Sequence, residues 1–335
     1  MDPSADNRIV SLEHMAIGYA PEKVLLSEIN LSLLPGEMVA LVGRNGTGKS
    51  TLLRSILGFL PVLGGECLLF GAPADSFDLR RRARVVSYVS SRVPAMPSMS
   101  VRELVSLGRM PHTGWAGRQG ARDREAVWKA MGELGMEDFA DRKVDQLSDG
   151  ERHRAMIARA MAQETVLMVL DEPTAFLDIP NKYELIRTLG RFRDNGRSVI
   201  FSTHDLETAW LWADKFWVIH GSKIVEGAPE DLGIMHVFEH LFADSDITFD
   251  PSERRFMPHF VPRGTICLEG EEPLVMYWTR TALERLGYRI DKHSGRATIR
   301  VTGRQGEYGW QWITDREEKF FPDIYSLARF LIQAE

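Results

Sequence analysis

Cysteine is scarce in this sequence, because Cys67 and Cys267 are the only two among 335 residues. They have no C-x-x-C spacing, so the sequence indicates neither a disulfide framework nor a zinc site. Long apolar runs are missing too, since no window offers the roughly 18 consecutive apolar residues that a membrane helix requires. Residues 1–7 are polar and provide no apolar core for a secretory signal. These absences favour a cytoplasmic protein without a membrane span of its own.

An excess of positive charge is also absent. The formal net charge is -6 and the sequence pI is about 5.9, so no general electrostatic attraction to nucleic acid is expected. A local group of four arginines is interpreted as a solvated helix face: Arg80, Arg81, Arg82 and Arg84. A mass of 38.0 kDa predicts more than one domain.

Residues Gly43 to Ser50 fit the phosphate-binding pattern G-x-x-x-x-G-K-[ST]. They lie between an apolar run, Met38–Val42, that predicts a buried strand and a helical stretch that begins at Ser50. Glycines allow the backbone amides to surround an anion at the N-terminus of that helix. Lys49 supplies a mobile charge for the β- and γ-phosphates, and the Ser50 hydroxyl can ligate Mg²⁺. The pattern therefore predicts a nucleoside triphosphate site.

A second apolar run, Val166–Leu170, ends in Asp171 and Glu172. It predicts two carboxylates at the C-terminal tip of a fully buried parallel strand, the edge at which open α/β sheets bind ligands. Asp171 is expected to hold the hydration shell of Mg²⁺, and Glu172 to polarise the attacking water as a general base.

Two further segments point to phosphate chemistry. Leu147–Glu151 exposes backbone amides and the Ser148 hydroxyl at the start of a helix, which makes a second anion site. The strand predicted for Val199–Thr203 ends at His204, so we expect an imidazole on the same sheet edge as the phosphates.

In this order, the motifs resemble the ATP-binding subunits of ATP-binding-cassette (ABC) transporters, over residues from about 8 to about 235. The resemblance implies an α/β fold, a P-loop NTPase cassette with a mixed sheet core and a helical subdomain. It implies that Glu172 is the catalytic carboxylate, that His204 is the switch histidine and that Tyr19 stacks on adenine. A half-buried core tyrosine is the alternative for Tyr19.

The remaining site residues follow from the same resemblance. Asp178 closes the D-loop segment Ala175–Asp178, and the Mg²⁺ ligands are expected among Ser50, Asp171 and Ser91. ATP contacts are implied for the loop residues Gly43, Arg44, Asn45, Gly46, Thr47, Gly48, Lys49, Ser50 and Thr51, and for the signature residues Ser148, Asp149 and Gly150.

The resemblance also implies partners. The signature segment of one ABC subunit covers the nucleotide bound by the phosphate loop of another, and this chain has one copy of each. We therefore expect a homodimer with two ATP molecules between its subunits. It should bind two integral-membrane permease subunits and, through them, a substrate-binding protein, with no nucleic acid. The expected location is the cytoplasmic face of the inner or plasma membrane.

Two departures from the family pattern affect the site. The signature has Asp149 and Glu151 where the commonest version has glycine and glutamine, which brings negative charge near a phosphate. The position that usually holds a glutamine, after a strand near Val85–Val89, falls on Ser91 or its neighbour. A serine is too short to reach both the Mg²⁺ shell and the water, so a bridging water or a closer loop is expected.

Apolar residues at three-to-four spacing predict a helical subdomain at about 92–165. One stripe contains Val101, Leu104, Val105 and Leu107, and another contains Ala126, Val127, Ala130, Met131 and Leu134. The run from Val101 to His112 is similar to that of cassettes that energise import of iron-siderophore complexes, haem and cobalamin. The alternative is that Gly108 merely ends a helix.

The pattern changes after a predicted hairpin at Gly221–Gly227. We expect an ATP-binding domain at 1–240, a linker or short hairpin at 244–262, and a small α+β domain at 250–335. The last domain should contain a strand at Thr265–Leu268, a helix at Leu274–Leu286, alternating strands around Ala297–Thr302 and Trp310–Ile313 joined through Gly303, Gly306 and Gly309, and a helix at Asp323–Ile332. Core or dimer packing is favoured over a ligand site for Trp310 and Trp312. Because this domain lacks the residues assigned to ATP, we expect it to act on dimer geometry or regulation.

Three functions are compatible with these motifs. The first is the ATPase of an importer, the second a soluble cassette ATPase of cofactor assembly or nucleic-acid metabolism, and the third an exporter ATPase. A single phosphate loop and the negative net charge argue against the second. The run from Val101 to His112 argues against the third. The sequence does not name the transported substrate.

Overall fold

The computed structural model describes residues 7–91, 98–114, 117–175, 177–241, 246–251, 254–258, 263–291, 295, 297–304 and 307–333. Among the predicted features, Phe176 of the D-loop, Gly306, Pro262 and the start of the helical subdomain at residue 92 lie outside these ranges. The chain forms two compact units, Met1–Met257 and Pro258–Glu335.

The first unit is built on two sheets and a separate strand pair. Its strands are β1 (Val10–Ala20), β2 (Lys23–Leu33), β3 (Met38–Val42), β4 (Gly64–Leu69), β5 (Ala72–Pro73), β6 (Val86–Val89), β7 (Leu167–Asp171), β8 (Ser198–Thr203), β9 (Lys215–His220), β10 (Lys223–Gly227), β11 (Ile247–Asp250) and β12 (Arg255–Pro258). Its helices are α1 (Lys49–Ile56), α2 (Leu79–Val85), α3 (Val101–Ser106), α4 (Ala121–Glu133), α5 (Asp149–Ala162), α6 (Ile179–Asp194), α7 (Leu206–Trp212) and α8 (Pro229–Ile234).

The central sheet has the strand order β10-β9-β3-β8-β7-β6. Strands β9, β3, β8, β7 and β6 are parallel, and β10 pairs antiparallel with β9. Every residue of β3, β7 and β8 is buried, as expected for parallel strands that are covered on both faces. Their C-terminal ends therefore meet at one edge. Val166 lies outside β7 and is exposed, which corrects the predicted strand start.

The second sheet is antiparallel, in the order β2-β1-β4-β5. Its apolar side chains share one core with α1 and with one face of the central sheet; Ile17, Leu26, Leu52 and Trp217 are examples. This mixture of a parallel-rich sheet, an antiparallel sheet and helices confirms the predicted α/β fold.

The helices α3, α4 and α5 pack together as the predicted stripes require, because Val101, Leu104 and Val105 are buried. The second stripe, Ala126 to Leu134, is buried as well. Leu107 is partly exposed, since α3 tightens into a 3₁₀ turn at Leu107–Arg109. The first stripe therefore ends at Val105, without the predicted Leu107.

The run from Val101 to His112 has a packing explanation. A Cβ on Gly108 would lie 2.2 Å from the carbonyl oxygen of Arg159, so glycine is required for the close approach of α5. The neighbouring Arg109 is buried and pairs with Asp123 at 3.0 Å and Glu164 at 2.8 Å. These contacts join α4 to the end of α5. Gly108 is thus a packing residue, whereas the alternative considered from the sequence was that it merely ends a helix.

The arginine cluster of α2 is only partly solvated. Arg82 is buried, and its guanidinium donates hydrogen bonds to the carbonyls of Ala74 at 3.0 Å and Phe77 at 2.9 Å. The interpretation of all four arginines as a solvated face was wrong for Arg82, because this side chain satisfies carbonyls of the preceding loop.

In its described residues, the second unit contains a mixed five-stranded sheet and two helices. Its elements are β13 (Gly264–Glu269), α9 (Pro273–Arg285), β14 (Tyr288–Asp291), β15 (Ala297–Arg304), β16 (Glu307–Ile313), β17 (Glu318–Phe321) and α10 (Ile324–Gln333). The order is β14-β13-β15-β16-β17, with β13 parallel to both neighbours and the last three strands antiparallel. Trp310 and Trp312 are buried in its core. This agrees with the predicted α+β class and adds β14 and β17, which the sequence did not indicate.

No helix of the described residues is long and apolar enough to cross a membrane.

Candidate functional site

The phosphate loop connects β3 to α1. Gly48 precedes the helix with φ 100°, a left-handed conformation that side chains rarely adopt, so glycine is needed at this position. Lys49 is buried, and its Nζ donates to the carbonyls of Gly43 at 2.8 Å and Arg44 at 3.1 Å. Burial lowers the pKa of Lys49, while the nearby Glu172 and Asp171 carboxylates oppose that shift. The Lys49 ammonium is thus held by hydrogen bonds to backbone carbonyls of the same loop.

Asp171, the last residue of β7, is held on both oxygens. Its Oδ1 accepts a hydrogen bond from the Ser202 hydroxyl at 2.7 Å, and its Oδ2 accepts one from the Ser91 hydroxyl at 3.3 Å. Ser202 lies on the neighbouring strand β8 and Ser91 just beyond β6. Asp171 is itself buried, so these two serines satisfy a carboxylate that is largely removed from water.

Glu172 turns away from the strand at the next residue. Its backbone is left-handed, with φ 53°, and its amide donates to the Ser202 hydroxyl at 2.9 Å. A left-handed non-glycine residue costs of order 1–3 kcal/mol and persists where the surroundings fix it. The Glu172 carboxylate lies 4.0 Å from His204 Nδ1, and both side chains remain partly exposed. A base candidate and an imidazole therefore face each other at the end of β7 and β8.

The signature serine begins α5. The Ser148 hydroxyl accepts from the Glu151 amide at 3.3 Å, and the Glu151 carboxylate accepts from the Ser148 amide at 2.7 Å. This reciprocal cap, with the backbone hydrogen bond as the main cause, lowers the pKa of Glu151. Asp149 pairs with Arg152 at 3.1 Å. Asp149 and Glu151, the two signature residues that differ from the commonest family version, thus have a local role in starting the helix.

In the described part of the chain, the hydrogen bonds of the Ser148 and Asp149 side chains stay within their own helix. Asp178 likewise caps its own helix, since its Oδ1 accepts from the Asn181 amide at 3.1 Å. No described hydrogen bond joins any of these three to the phosphate loop or to Asp171 and Glu172. A single chain therefore assembles the loop, carboxylate and histidine positions but leaves the signature and D-loop positions outside that network.

Tyr19 stands at the end of β1 with 68% of its surface exposed. The Lys23 ammonium lies 5.3 Å from its ring centroid. The ring is not a core tyrosine, which removes the alternative considered from the sequence. An exposed aromatic face is available for stacking.

A cavity of about 230 Å³ adjoins the phosphate loop and His204. It is lined by Val42, Gly43, Arg44, Asn45, His204, Leu206, Leu241 and Phe256. Phe256 comes from β12 and lies 5.1 Å from Phe249 of β11, whose ring is stacked on Trp210 of α7 at 5.7 Å. The strand pair therefore supports the helix that begins two residues after His204.

Sequence reasoning missed Ser202 and the aromatic residues of this strand pair. The signal for Ser202 was present, because it is the penultimate residue of β8, the strand that ends just before His204, and lies beside Asp171 in a parallel sheet. No comparable signal marked Phe249 and Phe256, which fall in a segment interpreted as a linker or short hairpin.

The residues fit ATP and Mg²⁺. The loop presents a buried ammonium and the N-terminus of α1, which attract phosphate. Ser50 and Asp171 offer hydroxyl and carboxylate oxygens, the ligands that Mg²⁺ prefers.

Comparison with known proteins identifies the family. Residues 26–175 match the ABC transporter family, and residues 263–332 match the family described as the iron ABC transporter C-terminal domain. The iron(3+)-hydroxamate import ATP-binding protein FhuC of Bacillus subtilis is 32% identical over 245 residues, which cover 72% of this chain and 91% of that protein. The chain belongs to the ATP-binding subunits of ABC transporters.

Other similarities agree with this assignment. The ferric enterobactin transport ATP-binding protein FepC of Escherichia coli is 34% identical over 232 residues, which cover 69% of this ABC subunit and 85% of FepC. A solved inward-facing structure of a transporter described as metal-chelate type is 25% identical, with a TM-score of 0.62, and the match covers 76% of this chain and 97% of that one. FhuC and FepC are named as ATP-binding proteins of iron(3+)-hydroxamate import and ferric enterobactin transport, and this chain is similar to both. As an ATP-binding subunit of an ABC transporter, it is an ATPase.

Proposed function

We propose that this ABC subunit hydrolyses ATP to power import of an iron-siderophore complex. The observation that carries the proposal is the convergence of Lys49, Asp171, Glu172 and His204 at one edge of the central sheet. The relatives named for ferric hydroxamate and ferric enterobactin, and the iron-related match of the second unit, favour an iron chelate over haem or cobalamin.

In the proposed chemistry, Lys49 exchanges its two carbonyl partners for β- and γ-phosphate oxygens when ATP binds. Ser50 and Asp171 would hold Mg²⁺, which neutralises charge on the phosphates, and Ser91 and Ser202 would keep the Asp171 carboxylate oriented. Glu172 accepts a proton from the attacking water, and His204 contacts the γ-phosphate. Tyr19 stacks on the adenine ring.

The proposed active form is a homodimer that encloses two ATP molecules. Its support is that Ser148, Asp149 and Asp178 lie outside the network of the phosphate loop in one chain, so a second chain is needed to bring them to a nucleotide. We further propose that the dimer binds two permease subunits at the cytoplasmic face of the membrane and receives substrate from a binding protein. The domain division at 1–240 and 250–335 also remains a proposal.

Uptake of a radiolabelled ferric siderophore tests this function. Cells that lack the gene should regain uptake with the wild-type chain but not with Glu172→Gln or Lys49→Ala, because the first lacks the base and the second lacks the phosphate contact. ATP binding to the purified variants separates the two defects, since only Lys49→Ala should lose affinity. Full uptake with Glu172→Gln would refute the proposal. Labelled haem and cobalamin, supplied in parallel, test the choice of substrate.

A further inference from the structure

The segments that follow β7 and β8 are joined by an ion pair outside the sheet. Lys182 lies near the start of α6, and its Nζ donates a hydrogen bond of 2.9 Å to Asp205 Oδ2. Asp205 directly follows His204 and caps α7. The Lys182 and Asp205 side chains are 30% and 19% exposed, so water and salt screen this pair less than a pair at the open surface.

Asp205 is the centre of a small polar network. Its Oδ1 accepts a hydrogen bond from the Thr208 amide at 3.2 Å, and its Oδ2 accepts one from the Thr208 hydroxyl at 2.9 Å. Partial burial acts to raise the pKa of Asp205, but the hydrogen bonds from Lys182 and Thr208 outweigh it and lower the pKa below its ordinary value. The pair is therefore ionised at neutral pH, and it ties the start of α7 to the start of α6.

Glu172 and His204 are held in different ways. The backbone of Glu172 is fixed by the hydrogen bond from its amide to the Ser202 hydroxyl. In the part of the chain that the structure describes, no hydrogen bond reaches the His204 ring, because its distance of 4.0 Å from the Glu172 carboxylate exceeds hydrogen-bond range. The direction of the imidazole therefore depends on the backbone around it, which Asp205 anchors.

These contacts form a closed ring around the candidate base. The chain leaves Glu172, turns into α6 and reaches Lys182, which contacts Asp205. The residue before Asp205 is His204, which faces Glu172 again. The parallel pairing of β7 and β8 closes the opposite side of the ring. Loss of the ion pair would open the ring on the side that no sheet hydrogen bond holds.

We propose that Lys182 is a positioning residue for ATP hydrolysis, which holds His204 against the γ-phosphate through its ion pair with Asp205. The inference rests on the proposed function, which assigns Glu172 as the base and His204 as the γ-phosphate contact. A donor that is already in place needs no reorganisation when charge develops in the transition state, so its placement affects turnover more than nucleotide binding. In this role Lys182 contacts neither the nucleotide nor the attacking water.

The other end of α6 provides a matched control. Arg193 pairs with Asp214 at 2.9 Å, and the Arg193 side chain is 24% exposed. Asp214 follows α7 as Asp205 precedes it, so both ion pairs join α6 to a segment that flanks α7. Lys182 and Arg193 are separated by about 16 Å along the helix. Replacement of either cation by methionine removes one partly buried ion pair of α6, but only the first pair lies beside the site.

The test measures kcat and KM for ATP hydrolysis by full-length chains. Lys182→Met should lower kcat about tenfold or more and change KM for ATP by less than about twofold. Lys182→Arg should recover at least about half of the wild-type kcat, because a guanidinium can also pair with the Asp205 carboxylate. Arg193→Met should keep kcat near that of the wild type, although thermal unfolding should show a similar loss of Tm in both methionine variants.

Two results of this assay would overturn the proposal. Equal losses of kcat in Lys182→Met and Arg193→Met would show that the ion pair matters only for stability. A raised KM for ATP with unchanged kcat would show that Lys182 binds the nucleotide itself.

A double-mutant cycle with His204→Ala tests the route of the effect. Single-turnover hydrolysis, with enzyme in excess over ATP, measures the residual rate. If Lys182 acts through His204, Lys182→Met should lower that rate less than about twofold once His204 is alanine, because the two residues share one interaction. A full tenfold loss in the His204→Ala background would show that Lys182 acts elsewhere and would overturn the proposal.

The same assay separates this proposal from the proposed function. Wild-type turnover by Lys182→Met, together with an inactive Glu172→Gln, would overturn the positioning role alone. Normal turnover by Glu172→Gln or by His204→Ala would contradict the roles that the proposed function gives to these two residues, whatever the rate of Lys182→Met.

Discussion

The Ser202 hydroxyl donates a hydrogen bond of 2.7 Å to Asp171 Oδ1. The Ser202 hydroxyl oxygen also accepts a hydrogen bond from the amide of Glu172 at 2.9 Å, so one buried serine orients both the expected Mg²⁺ ligand and the backbone of the expected base. The relation depends on the parallel pairing of β7 and β8, in which Asp171 and Ser202 are direct neighbours.

Replacement of Ser202 by alanine should therefore impair turnover. Asp171 would lose a charge-assisted hydrogen bond and Glu172 its backbone partner, so we expect kcat for ATP hydrolysis to fall about 10- to 100-fold through misplacement of the site. ATP affinity should change much less. The control is Ser198→Ala on the same strand, where the serine is equally buried but bonds the Leu34 carbonyl and the Gly36 amide away from the site. Equal turnover of the two variants would contradict the positioning role.

Glu172→Gln should slow phosphate release roughly 10²- to 10⁴-fold, because glutamine cannot accept the proton of the attacking water. ATP binding should persist, and gel filtration with ATP and Mg²⁺ should show a trapped dimer. Glu151→Gln is the matched control. Its amide oxygen can still accept from the Ser148 amide, so turnover should stay near that of the wild type. Normal ATP hydrolysis by Glu172→Gln would show that Glu172 is not the general base.

We expect the stability and ATP binding of a shortened chain to depend on where it ends. A chain that ends near residue 240, the boundary expected from the sequence, loses Phe249 and Phe256 and uncovers Trp210. Deletion of a buried phenyl side chain typically costs about 3–5 kcal/mol. A chain that ends at Met257 keeps the strand pair, so it should bind ATP with wild-type affinity and melt as one unit.

Thermal unfolding and ATP titration of the two shortened chains, side by side, provide the measurement. If the shorter chain is as stable and as active as the longer, the aromatic contacts are dispensable. Comparison of the Met257 chain with the full chain also reports the contribution of the second unit to association without nucleotide.

His153 should make stability sensitive to acid. Its ring is fully buried in α5, and neither nitrogen has a hydrogen-bond partner among the described residues. Burial lowers the pKa of this histidine below its ordinary value. Below about pH 6.5 the unfolded chain binds a proton that the folded chain resists, so the free energy of unfolding falls as the pH drops.

His153→Leu removes the two unsatisfied nitrogens and should raise the free energy of unfolding by about 1–3 kcal/mol at neutral pH. The advantage over the wild type should widen between pH 6.5 and pH 5, because leucine does not titrate. Urea unfolding at several pH values measures the free energy of unfolding of both proteins as a function of pH. Curves that remain parallel over this range would show that His153 is not the source of acid sensitivity.

Local sequence determined the phosphate loop, the strand before it, the helix after it and the carboxylates at the end of β7. Each of these depends on a few consecutive residues, such as the glycine at position 48 or the unbroken apolar run before Asp171, whose preferences act over short distances. The helix cap at Ser148 and Glu151 also depends on residues that are close in sequence. The same is true of the apolar stripe of α4 and of the two buried tryptophans of the second unit.

Tertiary structure alone decided the features that join distant residues. The sequence did not show that Ser202 would satisfy Asp171, that Arg82 would be buried under loop carbonyls, or that Phe256 would line a cavity with His204. It also did not reveal β14 and β17, or that β11 and residues 255–257 of β12 belong to the first unit. Each of these results depends on which surfaces pack together, and the free energy of burial is set by partners that lie far apart in the chain.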